Sequence, residues 1–388
     1  MRFWMTCRIG IVRAAFNGRP FRESAADLIV GNFDINDMIE LYLEIDLPVL
    51  FLYNVDPDWD LHDRISALES NEKMCSALED AGHSVTAVQI SGSDLRDILS
   101  RYSPKEIIVF NQFECIPGIP HSENEAARVI ESLGFIYTGS TSDVLMLSEN
   151  KFEAKQLLES HAIATPAWKI YKEPDIDGWD IFPAIVKTAC EHCSISLNSE
   201  SVVMNTGELE SRIKYILKNY HQPALVEDFI DGREFHVPIC GNGTLKMLPV
   251  VEMDFSAFND IHDRLCTYDS KFNPHSLHYN KIEGLIPAPL SETALKSLEK
   301  ICLDAYCALG CRDYARMDVR ERDGTFYILD VNPNADLDSE ASIACSAEYS
   351  GMTYSTMMSY LVKLAALRHP VYGGSKGCVR SGEKTHAG

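Results

Sequence analysis

The sequence predicts an α/β protein, α+β when taken whole, divided into more than one domain. Three observations carry that expectation. The chain has 388 residues, beyond one ordinary domain and suggesting two or three at roughly 150 residues each. A hydrophobic fraction of 46% can fill real cores, which excludes a largely disordered chain. Between residue 47 and about residue 145, short apolar runs alternate with helix-period segments. Such alternation means an open parallel sheet, because parallel neighbours need crossover connections.

Residues 1–46 read poorly as a domain; Phe33 to Glu44 predicts a short acidic helix, and no sustained period precedes it. Pro48-Val49-Leu50-Phe51-Leu52-Tyr53 is a continuously apolar run of the kind found in a buried strand. Residues 63–80 follow as a helix, with Gly82 as its stop before the strand Val85-Thr86-Ala87-Val88. Ile107 to Phe110 is a second buried strand, 123–133 a helix closed by Gly134, and Phe135-Ile136-Tyr137 a strand. The character then changes. A helix over 150–160 precedes Thr165-Pro166, Pro183 to Lys187 is a strand, Glu208 to Leu217 a helix, and Ala224 to Glu227 a strand. Beyond 232 strands come first, then a helix whose stripe Leu298, Ile301, Cys302, Ala305 and Leu309 ends at Gly310. Residues 370–388 are rich in Gly, Ser and Lys and are expected to form a disordered tail. The expected division is therefore an N-terminal extension (1–46), an α/β domain (47–145), a central domain (146–231), a C-terminal domain (232–369) and the tail.

Composition narrows the partners. A net charge of −22 argues against nucleic acid or an anionic membrane surface, since both reward Lys/Arg patches. No apolar run approaches the length of a bilayer span, and Arg2, Arg8 and Arg13 interrupt any early signal-like segment. The 12 cysteines are scattered, often in apolar stretches as at Cys302 and Cys307. Reduced thiols and a cytoplasmic location are the expectation. Cys190-Glu191-His192-Cys193 has C-x-x-C spacing, but no second such pair or H-x₃₋₅-H completes a zinc set.

The strongest chemical signal lies between Ala315 and Asn332. Strand alternation puts Arg316 and Asp318 on one face, with Met317 and Val319 on the other. Asp323-Gly324 signals a hairpin turn, and the return strand Tyr327 to Asn332 again places two polar groups, Asp330 and Asn332, on one face. A three-residue loop of Arg322-Asp323-Gly324 would pair residues with an even number sum and bring all four to one surface. Two carboxylates and an amide beside a guanidinium suit Mg²⁺ carrying phosphates. A solvated hairpin face would alternate in the same way, yet it would not need the apolar Ile328-Leu329 lead-in.

In these residues the chain resembles the ATP-grasp superfamily, most closely its D-alanine–D-alanine ligase-like branch, over about residues 47–368. Ser148-Glu149-Asn150-Lys151 with Lys155 is similar to that family's D-K-x-x-x-K helix start, and Pro183 to Lys187 to its second lysine strand. Leu225 to Ile230 looks like the adenine hinge, Gly232-Arg233-Glu234-Phe235 follows it, and Ser270-Lys271-Phe272 resembles the closing loop. The resemblance implies three domains with ATP between the central and C-terminal ones. It implies Lys151 and Lys187 on phosphates, Glu227, Asp228, Phe229 and Ile230 at adenine, and Glu234 at ribose. Ser194 would lie in the phosphate-covering loop, and Asp318, Asp330 and Asn332 would hold one or two Mg²⁺, for which Mn²⁺ could stand in. Arg316 and Lys271 would be the catalytic cations, Arg316 stabilising the transferred phosphoryl group and then an oxyanion. The implied reaction activates a small-molecule carboxylate as an acyl phosphate, which an amine attacks to give an amide. The implied assembly is a homodimer through the first domain. A nucleotide-binding protein without catalysis, and a carboxylate kinase without an amine step, are the competing expectations.

Three departures bear on the substrate. The family's glutamate is Asp330 here, one methylene shorter, and its glycine-containing phosphate loop is Glu191-His192-Cys193-Ser194. Its serine for the second substrate's carboxylate falls near Ala341, amid Asp336, Asp338 and Glu340. An amine with a nearby carboxylate would be repelled there, unless these acids cap the helix that starts near Ala341. The expectation is therefore a chain that does not make D-alanyl-D-alanine. Asn111 and Glu114, at a C-terminal strand edge, are candidates for the first substrate, with Asp336 and Asp338 for the second.

Overall fold

The computed structural model describes residues 10–13 and 46–373, apart from positions 58, 93, 120, 175, 192 and 193. The acidic helix expected over 33–44, most of the tail, and the His192-Cys193 pair lie outside the described residues.

Three sheets organise the chain. Strand β1, Gly10–Arg13, comes from the N-terminal extension and adds a parallel edge strand to the third sheet. The first sheet is wholly parallel, with β2 (Val49–Asn54), β3 (Val85–Ile90), β4 (Ile108–Gln112) and β5 (Ile136–Tyr137) in the order β3-β2-β4-β5. Its central strands β2 and β4 are buried on both faces, as their unbroken apolar runs require. Helix Leu61–Asp80 is capped by the Asp60 side chain, and Gly82 after it takes a left-handed φ of 89°.

The second sheet is antiparallel: β6 (Trp168–Tyr171), β7 (Ala184–Thr188), β8 (Val202–Val203) and β9 (Ala224–Asp228) in the order β6-β9-β7-β8. Helix Thr206–Tyr220 covers it through Leu209, Ile213 and Ile216. The expected helix over 150–160 is the second of two, Ser142–Glu149 and Lys151–Ser160, which meet at Asn150. Asn150 is non-helical, and its side chain caps the second helix at Glu153 N–H.

The third sheet runs β1-β13-β12-β10-β14-β15, with β11 (Thr244–Met247) also paired to β10. Its strands are β10 (Arg233–Asn242), β12 (Val251–Asp254), β13 (Glu283–Ile286), β14 (Asp313–Arg322) and β15 (Thr325–Asn332). Helix Glu292–Leu309 packs its Leu298, Cys302, Ala305 and Leu309 stripe on this sheet, and Gly310 ends it in the left-handed conformation. The C-terminal helix Tyr354–Ala366 instead buries Met357, Met358, Leu361 and Val362 in one core with Phe51 and Phe110 of the first sheet.

The β14–β15 hairpin corrects the expected loop. Arg322 pairs with Thr325, so the turn is the two-residue Asp323-Gly324, both with positive φ (55° and 78°). From Arg322–Thr325 to Val319–Ile328 the paired numbers therefore sum to an odd value. A β-bulge between Asp318 and Val319 then absorbs Leu329, and Asp318 pairs with Asp330 and Arg316 with Asn332. Were Leu329 instead paired with Asp318 in unbroken register, Asp330 and Asn332 would face the opposite side of the sheet. The four polar groups do share a surface, by a different device from the expected loop.

Candidate active site

Two adjoining cavities lie where the sheets meet. The larger, about 210 Å³, is walled by Lys151, Lys187, Arg316 and Asp318 together with Asn111, Glu123 and Asp336. The smaller is bounded by the hinge residues Glu227 to Ile230 with Glu234 and Arg320. Lys187, Ser194, His236, Lys271, Asp318 and Asp330 border both.

A chain of charge links the second and third sheets. Lys187 Nζ on β7 lies 2.7 Å from Glu227 on β9 and 3.5 Å from Asp330 on β15. Lys151, first residue of its helix, reaches the other Asp330 oxygen at 2.7 Å. Burial disfavours the Lys187 charge, but Asp330 and Glu227 together outweigh it and hold the ammonium above its ordinary range. For Asp330 the sum also favours charge: burial would raise its carboxyl, and Lys151 and Lys187 drive it well below the usual carboxylate range. Glu227, only 2% exposed, is held ionised against burial by Lys155 and Lys187. Lys155 pairs with Glu227 and bonds Thr165 Oγ1 at 2.7 Å. Its ammonium serves to fix Glu227, and burial pulls it below the ordinary lysine range.

On β14, Arg316 grips Asp318 with two hydrogen bonds of 2.7 and 3.0 Å, and Asn332 Nδ2 donates to the same carboxylate at 3.1 Å. Burial would raise the Asp318 carboxyl, but Arg316 and then His236 hold it low. His236 on β10, buried and 3.9 Å from Asp318, is pushed down to about 4 by burial and by Arg316, so it is neutral at pH 7. Two carboxylates and the Asn332 amide oxygen on adjacent strands form a hard-oxygen set, and that chemistry fits a divalent Mg²⁺-like ion. The nearby lysines and arginine fit its phosphate ligands.

Several expected site residues have other duties. The Asp228 side chain is taken by Arg322 in a bidentate pair (3.0 and 2.6 Å). The N–H groups of Asp228 and Phe229 donate to Ala167 and Pro183 carbonyls. Glu234 is held at 2.7 Å by Arg320, which also bonds the Ile230 carbonyl at 2.9 Å and lies over the Phe229 ring. Ser194 borders both cavities with φ 58°, and Ser196 has φ 74°. The loop thus takes left-handed conformations without glycine, a local strain of the kind stored at working sites. Lys271 stands on the short helix Tyr268–Phe272, capped by Thr267.

Asp338 does not border either cavity. Its carboxylate accepts Ser70 Oγ at 2.8 Å and Glu340 N–H at 2.9 Å, tightening the turn before helix Ser342–Tyr349. No side chain caps that helix at Ala341, so the capping role weighed against substrate contact is not the one Asp338 takes; it holds the preceding turn. Asp336 does line the larger cavity, where burial pushes its carboxyl up to about 7. Asn111, 2% exposed, lines it with Oδ1 unpartnered among the described residues, and Glu114 lies beside it.

A second polar cluster carries no motif that marks it in the sequence. His121, with φ 59°, bridges Glu149 at 2.5 Å and Glu191 at 3.5 Å, bonds that raise its imidazole to about 10. Glu123 accepts from Asn334 at 2.6 Å, and Tyr314 donates to the same amide at 2.9 Å. Burial pushes Glu123 up to about 8. Glu149 ends a helix and Tyr314 lies on β14, while His121, Glu191 and Asn334 come from loops without periodicity; only the helix-start position of Glu123 hinted at its place.

Comparison with known proteins agrees with this architecture. Residues 158–363 match the family model described as D-ala D-ala ligase C-terminus. An uncharacterised protein, y4sG, of Sinorhizobium fredii is 28% identical over 307 residues, covering 77% of this chain and 88% of that one. A D-alanine–D-alanine ligase of Desulforamulus reducens is 25% identical over 317 residues, 78% of this chain and 95% of its own. The crystal structure of the Bacillus anthracis D-alanine–D-alanine ligase complexed with ATP superposes with a TM-score of 0.64 at 18% identity. That match covers 82% of this chain and 97% of the other, and it shows a shared fold. The chain belongs to the D-alanine–D-alanine ligase family, in the ATP-grasp superfamily.

Proposed function

We propose that the protein is an ATP-dependent carboxylate–amine ligase that forms an amide through an acyl phosphate, releasing ADP and phosphate. One observation carries the reading. Lys151 and Lys187 converge on Asp330, and Arg316 and Asn332 converge on Asp318, along the wall of a single cavity. Those lysines would bear on the nucleotide phosphates, while Phe229 and Ile230 in the smaller cavity would flank the adenine. Glu234 would meet the ribose. Asp318, Asp330 and Asn332 would hold Mg²⁺, which when bound neutralises phosphate charge.

Arg316 would stabilise the negative charge that develops first on the phosphoryl group and then on the tetrahedral carbon's oxygen. Lys271, bordering both cavities, would place a second cation near the carboxylate being activated. Enclosure by the Ser194 loop would limit loss of the acyl phosphate to water. Activation is needed because oxide is a poor leaving group and phosphate a good one. The division at residues 145 and 231 into three working domains belongs to this proposal, as does pairing into a homodimer.

The test measures ADP release with Mg²⁺, ATP and a mixed carboxylate pool, with and without amines, followed by mass analysis of the product. Amine-dependent release supports the ligase; release without amine points to a kinase, and none in any mixture to a binding protein. Asp318→Asn is expected to cut turnover at least ~100-fold, and full activity in that variant would overturn the reading.

A further inference from the structure

The smaller cavity gathers three side chains that the ligase reading does not use together. Glu234 and His236 lie two residues apart on β10 and so share a face of that strand. Cys266 reaches them from the loop between the short turn Ile261–Asp263 and the helix Tyr268–Phe272. A carboxylate oxygen, an imidazole nitrogen and the thiol sulfur lie within 4.8 Å of one another, and all three residues line the cavity. Glu234 and His236 are buried and Cys266 is half-buried. Carboxylate, imidazole and thiol in one place form a transition-metal donor set, which acids alone or a single cysteine would not.

The imidazole adds an independent observation. The His236 side chain is 4% exposed and borders both cavities. Among the described residues its Nδ1 has no hydrogen-bond partner, and its Nε2 stands 3.9 Å from Asp318, beyond hydrogen-bond distance. Buried ring nitrogens are ordinarily paired, and a metal ion satisfies a neutral imidazole as a proton donor does. Glu234 is likewise half committed: Arg320 takes its Oε2 at 2.7 Å and leaves Oε1 to a ligand. Arg320 and Lys271 border the same cavity, so a divalent cation there needs negative charge to offset them. The thiolate that Cys266 becomes on metal binding adds to the Glu234 carboxylate, and Asp318 stands beside the imidazole.

We propose that Glu234, His236 and Cys266 form a binding site for a thiolate-preferring divalent cation of the Zn²⁺ class, and that this ion and the nucleotide exclude one another. The protein gives one oxygen, one nitrogen and one sulfur, and water takes the fourth tetrahedral position. Tetrahedral zinc holds its donor atoms roughly 3.3–3.8 Å apart, so the group closes by about 1 Å on the ion, a shift that rotation of the Cys266 side chain can supply. Mg²⁺ prefers an all-oxygen shell, such as Asp318, Asp330 and Asn332 offer, and sulfur does not capture it. Exclusion rests on the ribose role proposed for Glu234. With Oε2 held by Arg320, the remaining oxygen serves either the ion or the sugar. The ion would also tie β10 to the segment that leads, through Thr267, into the helix bearing Lys271.

The test titrates the full-length protein with Zn²⁺ at free concentrations fixed by a chelator buffer, in excess Mg²⁺, beside Cys266→Ser and Glu234→Gln. Glutamine at 234 still accepts from Arg320, so that variant keeps the pocket while losing the charge. The wild type should hold one equivalent of Zn²⁺ more than Cys266→Ser, and Glu234→Gln should bind that equivalent about tenfold or more weakly. Co²⁺ in place of Zn²⁺ should give a thiolate-to-metal charge-transfer band in the near ultraviolet, present in the wild type and in Glu234→Gln and reduced in Cys266→Ser. Equal stoichiometry, affinity and spectra in all three proteins overturn the site. With free Co²⁺ held constant, a non-hydrolysable ATP analogue with Mg²⁺ should remove the Cys266-dependent band. A band that persists overturns the exclusion, and with it the ribose role of Glu234. None of these readouts uses turnover, so failure of the ligase reading leaves the metal site standing, and loss of the metal site leaves the ligase.

Discussion

At the scale of single residues, the site is governed by the sum of burial and pairing rather than by either alone. Lys187 is buried and the Asp330 side chain 33% exposed, and each keeps its charge because the other lies 3.5 Å away with Glu227 and Lys151 adding to the sum. Arg316 differs in needing a planar fork for Asp318. Arg316→Lys is therefore expected to lower kcat for ADP release by ~10²-fold while changing KM for ATP much less. Glu123 illustrates the opposite balance. Its folded carboxyl titrates at about 8 against 4.5 for an ordinary glutamate. Between those values the folded chain keeps a proton that the unfolded chain has released, so stability is intact below the lower value and falls as pH rises toward the upper. Glu123→Gln keeps an acceptor for Asn334 and removes that penalty. Thermal melts should show no difference at pH 4 and a gain of about 2 °C for the variant at pH 8.

At the scale of elements, the third sheet shows what sequence can and cannot specify. Alternation in Arg316-Met317-Asp318-Val319 was legible because strand period is a local property, and burial of Met317 and Val319 follows it. The grouping of Asp318 with Asp330 was also legible. The turn length was not, because Asp323-Gly324 and a three-residue loop share the same glycine signal, and the bulge at Leu329 leaves no mark in composition. The break at Asn150 escaped notice for a similar reason: helix period continues on both sides of the cap. His121, Glu191 and Asn334 were out of reach because their partners are set by tertiary approach of loops. Gly232 belongs to this scale as well. A Cβ there would stand 1.9 Å from the Glu321 carbonyl oxygen, so β10 and β14 can close at their ends only around glycine. Gly232→Ala should push the start of β10 away from β14, displacing Glu234 and Arg320. The expected outcome is a rise in KM for ATP of about tenfold together with about 2 kcal/mol of lost stability, measured by initial rates and urea unfolding.

At the scale of the molecule, one aspartate joins parts distant in sequence. Asp313 is fully buried at the start of β14; it accepts from Gly139 N–H after β5 at 2.9 Å and from Asn242 at the end of β10 at 2.7 Å. Arg368, past the C-terminal helix, adds bonds of 2.5 and 2.8 Å. The same helix fills the core beneath the first sheet, so the chain's last described helix clasps its first sheet to its third. Asp313→Ala would leave the Arg368 guanidinium and two amide groups without their common acceptor. A loss of about 3–5 kcal/mol is expected in urea unfolding, with nucleotide affinity falling only where the fold itself has melted. The net charge of −22 concerns solubility and partner choice, and it does not determine this arrangement.

The odd residue absorbed at Leu329 has a consequence for how this hairpin can change over generations. Loss of Leu329 would leave Asp330 opposite Asp318 in regular register, and a longer tip beyond the Arg322–Thr325 pair would leave the ladder as it stands. A residue gained or lost within either paired segment between tip and bulge would instead turn the downstream carboxylate and amide to the back of the ribbon, against the helix that covers it. Length variation among descendants of this chain is therefore free at the tip and at the bulge, and must be compensated within the ladder.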